Sequence, residues 1–369
     1  MGFSNIPKLY LGELEISNPV QGGMGVKISG ARLASAVANV GGLGLIATVG
    51  LNEAKNYPGS YKSSSIAALK DEIRLARSMM NQNGYLGVNI LHALTNYSDL
   101  VQTSIEEGVD AIISGAGVPL DMPKYLLPGC KTKLIPIVSS ARLADFICKY
   151  WKKKYNYLPD AIVVEGPKAG GHLGFSLEQL TDENSVDFVE HGLERIIPEV
   201  VKAVSKYETA KKIPVIAAGG IFYGGDIKKF IELGASGVQM ATRFVTTEEC
   251  DAPLAFKQAY LNARKEDIII IKSPVGMPAR AIKSKFLDEV AKRERMPVNC
   301  PYHCLTPCDP KQSLYCIARA LLNAEQGDVA INGFAFAGAN AWRCKEQGII
   351  TVPKLFEKLS QEYLEGKIS

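Results

Sequence analysis

Short apolar, largely β-branched runs recur along the first two-thirds of the chain, and polar or glycine-rich turns separate them. Eight can be counted: Pro19–Gln21, Leu43–Thr48, Tyr85–Ile90, Ala111–Ser114, Leu134–Val138, Ala161–Glu165, Pro214–Ala218 and Gly237–Met240. Their apolar residues are continuous rather than alternating, as in parallel strands covered on both faces. Helical spacing lies between them. Ala31–Ala38 follows the first run, Ala67–Met80 precedes the third, Ala141–Ile147 follows the fifth, and a helix-like stretch from Asp226 follows the seventh. Eight such units predict an α/β protein with a (β/α)8 TIM barrel, whereas a doubly wound sheet more often has five or six strands.

From about Glu248 the pattern changes to charged, helix-like stretches. Residues 1–247 are therefore expected to form the barrel. Residues 248–369 are expected to form a helical extension wrapped on it, able to supply the barrel's own last helix. A polar insertion around Thr181–Asn184 lengthens the interval between strands six and seven.

Composition narrows the picture without redirecting it. The 369 residues are 47% hydrophobic and 22% charged, which is ordinary for a globular chain. A net charge of +4, evenly spread, argues against nucleic-acid binding. Lys149 and Lys152–Lys154, interleaved with Tyr150, Trp151 and Tyr155, fit the solvated face and packing edge of the helix after strand five. No apolar run is long enough to span a bilayer, and the first residues lack the pattern of a secretory signal. A cytoplasmic protein is expected, with a small-molecule substrate and no membrane partner; a homodimer remains open.

The glycines mark the candidate site. In this fold chemistry occurs where the strands end, and phosphate commonly binds after strands seven and eight. Strand seven ends in Ala218-Gly219-Gly220, and strand eight in Met240-Ala241-Thr242. Glycines admit close approach of backbone N–H groups to a phosphate, although tight turns would also use them. Gly22, Gly23 and Gly25 surround Met24 after the first run and leave room for a flat ring system. Strand six leads through Glu165 into a glycine-rich loop holding Gly171 and His172, one of only four histidines. Histidine titrates near neutrality and is the natural general acid or base. Phe334–Asn340 is expected to line a pocket or simply to pack.

Together, Gln21-Gly22-Gly23-Met24, Gly87-Val88-Asn89, Glu165-Gly166-Pro167, Ala169-Gly170-Gly171-His172, Ala217–Ile221 and Thr242-Arg243-Phe244 resemble the nitronate monooxygenase family. Its superfamily also contains flavin-dependent enoyl-acyl-carrier-protein reductases. The resemblance covers about residues 5 to 285, including Ser273–Arg280. It implies a barrel binding FMN noncovalently. Gly219, Gly220, Ala241 and Thr242 would hold the phosphate, with Ala218 and Met240 beside them. Gly22, Gly23 and Met24 would lie against the isoalloxazine, Asn89 and Glu165 would bind its polar groups, and Gly171 would approach the ring. His172 would be the catalytic histidine. Three positions depart from the pattern. Lys168 stands where the family often has Glu, Ala241 replaces a frequent Gly, and Ser139-Ser140 ends strand five where some members have Lys.

The expected activity is oxidation of alkyl nitronates, with oxygen as acceptor and His172 as acid/base. The alternative is reduction of an enoyl thioester by NAD(P)H through the same flavin. Cysteine spacing adds a third expectation. Cys300, Cys304, Cys308 and Cys316 form C-x3-C-x3-C-x7-C, four of the eight cysteines within 17 residues. Four thiolates suit a [4Fe-4S] cluster or a tetrahedral zinc, with His303 as an alternative ligand; reduced, partly buried cysteines are the other reading. A cluster would suggest electron transfer with a redox partner protein.

Overall fold

The computed structural model describes residues 5–81, 84–180, 186–208, 212–293, 300 and 302–369. The polar insertion at Thr181–Asn184 lies outside the described residues. All eight expected strands form: β1 (Val20–Gln21), β2 (Leu43–Ala47), β3 (Tyr85–Leu91), β4 (Ala111–Gly115), β5 (Lys133–Val138), β6 (Ile162–Glu165), β7 (Val215–Ala218) and β8 (Gly237–Met240). They pair in parallel in the order β1-β8-β7-β6-β5-β4-β3-β2. Between β1 and β2 a side chain joins the strands: Gln21 Oε1 accepts the N–H of Leu45 at 2.7 Å.

Side chains alternate across the pleat. Leu43, Leu45, Ile113, Ile135, Val163 and Ile216 fill the barrel interior. Ile46, Val88, Ile112, Leu134 and Val164 face outward into the layer shared with the helices. This two-sided burial explains why the runs are continuously apolar. An N-terminal hairpin, Leu9–Leu11 paired with Leu14–Ile16, adds Leu9, Leu11 and Ile16 to the interior and closes the end where the strands begin.

The ring of helices includes α1 (Ala31–Asn39), α2 (Tyr61–Met79), α3 (Tyr97–Glu106), α4 (Ala141–Tyr155), α5 (Leu193–Ser205) and α6 (Gly224–Glu232). Helix α6 starts two residues before Asp226, because Asp226 Oδ2 caps it by accepting the N–H groups of Phe222 and Tyr223 at 2.9 and 2.8 Å. After β8 comes only the short α7 (Thr242–Val245). The extension then contributes α8 (Leu254–Asn262), α9 (Lys285–Ala291), α10 (Ile317–Glu325) and α11 (Val352–Glu365).

Helix α11 packs between α6 and α1 and completes the ring. The approach to α6 is so close that a Cβ on Gly224 would lie 2.1 Å from the Leu359 carbonyl oxygen. A buried ion pair, Arg243 Nη1 to Glu362 Oε2 at 2.6 Å, ties α7 to α11.

The extension is not purely helical. It contains an antiparallel pair, β9 (Ile268–Lys272) and β10 (Pro278–Ile282), joined by a turn at Gly276. Four successive isoleucines favour strand over helix, because β-branching restricts side-chain rotamers on a helix. β10 also pairs with Gly171–His172, so this hairpin holds the loop after β6.

Candidate active site

A cavity of ≈ 240 Å³ opens where the barrel strands end. Among the expected site residues, Gly23, Met24, Asn89, Glu165, Gly171, His172, Ala241 and Thr242 line it. Gly22, Ala218, Gly219, Gly220 and Met240 stand behind that wall. The Gly22 N–H donates to the Met240 carbonyl at 2.8 Å, and the Gly166 N–H to that of Ala218 at 2.8 Å. Gly219 and Gly220 hold positive φ of 99° and 85°, which glycine adopts without steric cost.

The floor is built for close approach. A Cβ on Gly23 would fall 2.2 Å from the Asn89 Cβ, so only glycine lets the first loop lie on β3. Around Gly171, by contrast, a Cβ would meet nothing within 4 Å. Gln239 adds a polar atom that sequence reasoning passed over. Its Oε1 is buried, lines the cavity and has no hydrogen-bond partner. An orphaned acceptor of this kind calls for a donor from a ligand. The signal was present as a lone polar residue inside an apolar run.

Phe334–Asn340 closes the opposite side. Asn340 Nδ2 donates to the Gly220 carbonyl at 2.7 Å, and the Ala339 N–H to the Lys168 carbonyl at 3.1 Å. Lys168 itself is exposed, its stem beside Gly220. Arg280, buried on β10, donates to the carbonyls of Pro167 and Ala169 at 2.5 and 2.9 Å and fixes the loop that carries His172.

His172 is held from two sides. Its Nε2 lies 2.7 Å from Ser273 Oγ, and its ring meets the edge of Phe336 at 5.2 Å between centroids. Burial pushes the imidazole down to about 4, so it is neutral near pH 7 and free to accept a proton. Burial has the opposite effect on Glu165, raising the carboxyl to about 8. The site thus pairs a neutral base with a neutral acid, two groups whose environments drive them apart.

Much of the cavity wall is apolar. The barrel side contributes Val26, Val49 and Leu91, and the extension contributes Leu305, Ile317 and Leu321. Cys304 lies on the same wall. The other three cysteines of the motif are half-buried nearby in the chain, and His303 is exposed. Among the described residues, no three His, Cys, Asp or Glu side chains are grouped to share one metal ion. A single tetrahedral zinc therefore does not fit this arrangement.

The architecture and the glycine-lined strand ends define a flavin-type barrel oxidoreductase, and comparison with known proteins gives its family. The sequence profile of the nitronate monooxygenase family matches residues 10–362, so the chain belongs to that family. With it the chain is an FMN-dependent oxidoreductase. Over 281 residues it is 30% identical to a Mycobacterium tuberculosis (strain H37Rv) protein, (3aS,4S,5R,7aS)-5-hydroxy-7a-methyl-1-oxo-octahydro-1H-indene-4-carboxyl-CoA dehydrogenase; the match covers 76% of this chain and 67% of that one. It is 38% identical over 135 residues to a probable nitronate monooxygenase of Staphylococcus aureus (strain Newman), covering 37% of this chain and 35% of the relative. Among solved structures it resembles FabK from Thermotoga maritima, with a TM-score of 0.68, 26% identity, and 94% and 92% of the two chains covered. Among the described residues, no helix is long and apolar enough to cross a membrane.

The residues present fit FMN. The unpartnered Gln239 Oε1 offers a buried acceptor, and Gly23 lies so close on Asn89 that no side chain stands on the cavity floor there.

Proposed function

We propose that this oxidoreductase reduces the double bond of an enoyl thioester with an apolar acyl group, using FMN held at the strand ends and NAD(P)H as reductant. The observation that carries this reading is the apolar wall that Val26, Val49, Leu91, Leu305, Ile317 and Leu321 give the cavity His172 lines, which suits an acyl chain. Each methylene buried there contributes about 0.8 kcal/mol. The carboxyl-CoA dehydrogenase similarity favours the same substrate class. FMN, when bound, supplies two-electron transfer between reductant and substrate.

The chain's own residues do the rest. Gly23, Met24 and Asn89 would support the cofactor's ring, and Gln239 and Asn89 would offer it polar partners. His172, held by Ser273 and Phe336, lines the cavity and manages the proton as acid/base. The apolar wall excludes water from the reacting carbon. All eight cysteines are free, which favours a reducing, cytoplasmic setting.

Nitronate oxidation, with the same His172 as acid/base, is the second reading; the family match over residues 10–362 favours it. The test is turnover by the purified enzyme. The proposal expects anaerobic consumption of NAD(P)H that depends on an enoyl thioester. Oxidation of an alkyl nitronate in air without NAD(P)H, and no enoyl reduction, would support the second reading instead.

A further inference from the structure

The contact between His172 and Ser273 joins two cavities. His172 lines the main one, where Gly23, Asn89 and Glu165 also stand. Ser273 lines a second, of ≈ 570 Å³, bounded by the chain after His172 and by the turn of the β9–β10 hairpin. The rim of this outer cavity faces solvent: Gly174, Ser176, Lys272 and Gly276 are exposed. A space of that size admits water. Neither residue lines both cavities, so the 2.7 Å contact between Nε2 and Oγ is a polar link from one to the other.

The hairpin turn fixes the serine for this contact. The Ser273 N–H donates to the Met277 carbonyl at 3.1 Å, and the Gly276 N–H to that of Ser273 at 2.9 Å. The Val275 N–H donates to Ser273 Oγ at 3.3 Å. That bond occupies one lone pair and leaves the hydroxyl hydrogen for Nε2. Across the pair, the Leu173 N–H donates to the Pro278 carbonyl at 2.9 Å and holds His172 in register with Ala279. Among the described residues, the other ring nitrogen, Nδ1, has no hydrogen-bond partner. With Nε2 accepting from the serine, Nδ1 carries the hydrogen of the neutral ring.

We propose that Ser273 is a positioning residue that relays a proton from the outer cavity to His172 during the reduction proposed above, on which this assignment rests. Reduction of an enoyl double bond adds a hydride, supplied by NAD(P)H, to one carbon and a proton to its neighbour. A neutral imidazole has one N–H to give, and giving it alone would leave an imidazolate in a buried place. The relay avoids that charge. As the Nδ1–H bond breaks and its proton joins the carbon, Nε2 takes the hydroxyl proton of Ser273. The O–H bond of the serine re-forms with a proton from water in the outer cavity, which solvent replaces. The Val275 N–H steadies the oxygen during the exchange. The net input is one hydride and one solvent proton. Histidine ends neutral with its hydrogen on Nε2, and exchange with solvent after product release restores the first tautomer.

One readout needs no turnover. Nitrogen NMR of the full-length protein carrying isotope-labelled histidine, with the His172 signals assigned by their loss in His172→Ala, should show hydrogen on Nδ1 and an accepting Nε2. Ser273→Ala should give a mixture of tautomers, and Ser273→Thr should restore the first. Hydrogen on Nε2 in the parent protein, which could not then accept from Ser273, overturns the relay. The second readout is an anaerobic single turnover of the reduced FMN enzyme with an enoyl thioester in mixtures of light and heavy water. A curved dependence of the rate on deuterium content is expected, because more than one proton moves. Ser273→Ala should slow the step about 10²-fold with FMN retained and make the dependence linear, and Ser273→Thr should recover both. An unchanged rate in Ser273→Ala overturns the proposal, as does a slower rate whose curvature persists, the mark of a purely structural role. A parent enzyme that reduces no enoyl thioester would sink the proposed reaction, while the tautomer still decides whether Ser273 donates to His172.

Discussion

Burial acts on His172 and Glu165 in opposite directions, and each has a measurable consequence. His172 is held neutral down to about pH 4, so kcat/KM should lack the acid limb near pH 6.5 that a free imidazole gives. Replacing it by Ala should lower turnover by about 10²–10⁴-fold with FMN retained; unchanged turnover would remove it from the mechanism. Glu165 titrates at about 8 in the fold against 4.5 in the free residue. Its contribution to stability is complete below pH 4.5 and is lost as pH rises toward 8. In the flavin-free protein, Glu165→Gln should therefore raise Tm at pH 8 more than at pH 5, and an equal effect at both would contradict the burial argument. Glu165 and Asn89 stand at the ends of apolar runs and His172 in the glycine-rich loop after one, and all three line the cavity. Ser273 was not legible as a partner of His172, since 101 residues separate them and only the β9–β10 hairpin brings them together.

At the level of elements, the eight barrel strands were readable because parallel strands buried on both faces produce short continuous apolar runs. The hairpin was missed although Ile268–Ile271 is strongly β-branched, because the charged residues on either side suggested helix. The closing helix was legible as an expectation, but its clamp was not. Arg243 follows β8 directly, while its partner Glu362 lies 119 residues on. Removing one member of such a buried pair leaves an uncompensated charge, so Glu362→Ala should cost about 3–5 kcal/mol in denaturant unfolding. A loss below about 1 kcal/mol would mean that the pair is solvated in solution. Helix α10 has a different task. Leu321 lines the cavity's apolar wall, so Leu321→Trp should abolish the preference for long acyl groups while sparing short ones. In the parent enzyme, KM should fall about threefold to fourfold per added methylene until that wall is covered. A flat chain-length profile in both proteins would remove the apolar wall from substrate binding.

On the scale of the whole molecule, barrel and extension make one cavity. The barrel contributes the glycine floor and His172, and the extension contributes Phe336, Leu305 and the α10 wall. Sequence pattern alone separates the two at residue 247, because the strand–helix alternation stops there. What that pattern does not reveal is that the extension returns twice, once as β10 beside His172 and once as α11 between α6 and α1. Those returns depend on contacts more than a hundred residues apart, which local periodicity does not encode. The joint cavity is also the basis of the functional account, in which the acyl group would lie against the apolar wall that barrel and extension both supply. The most direct test is a single turnover without oxygen. The FMN enzyme is reduced with one equivalent of NAD(P)H and mixed with a medium-chain enoyl thioester while flavin absorption is followed. The account predicts rapid return of oxidised flavin with one equivalent of saturated thioester, and little return in His172→Ala. Flavin that stays reduced with the thioester, yet is itself reduced by an alkyl nitronate when oxidised, would contradict it.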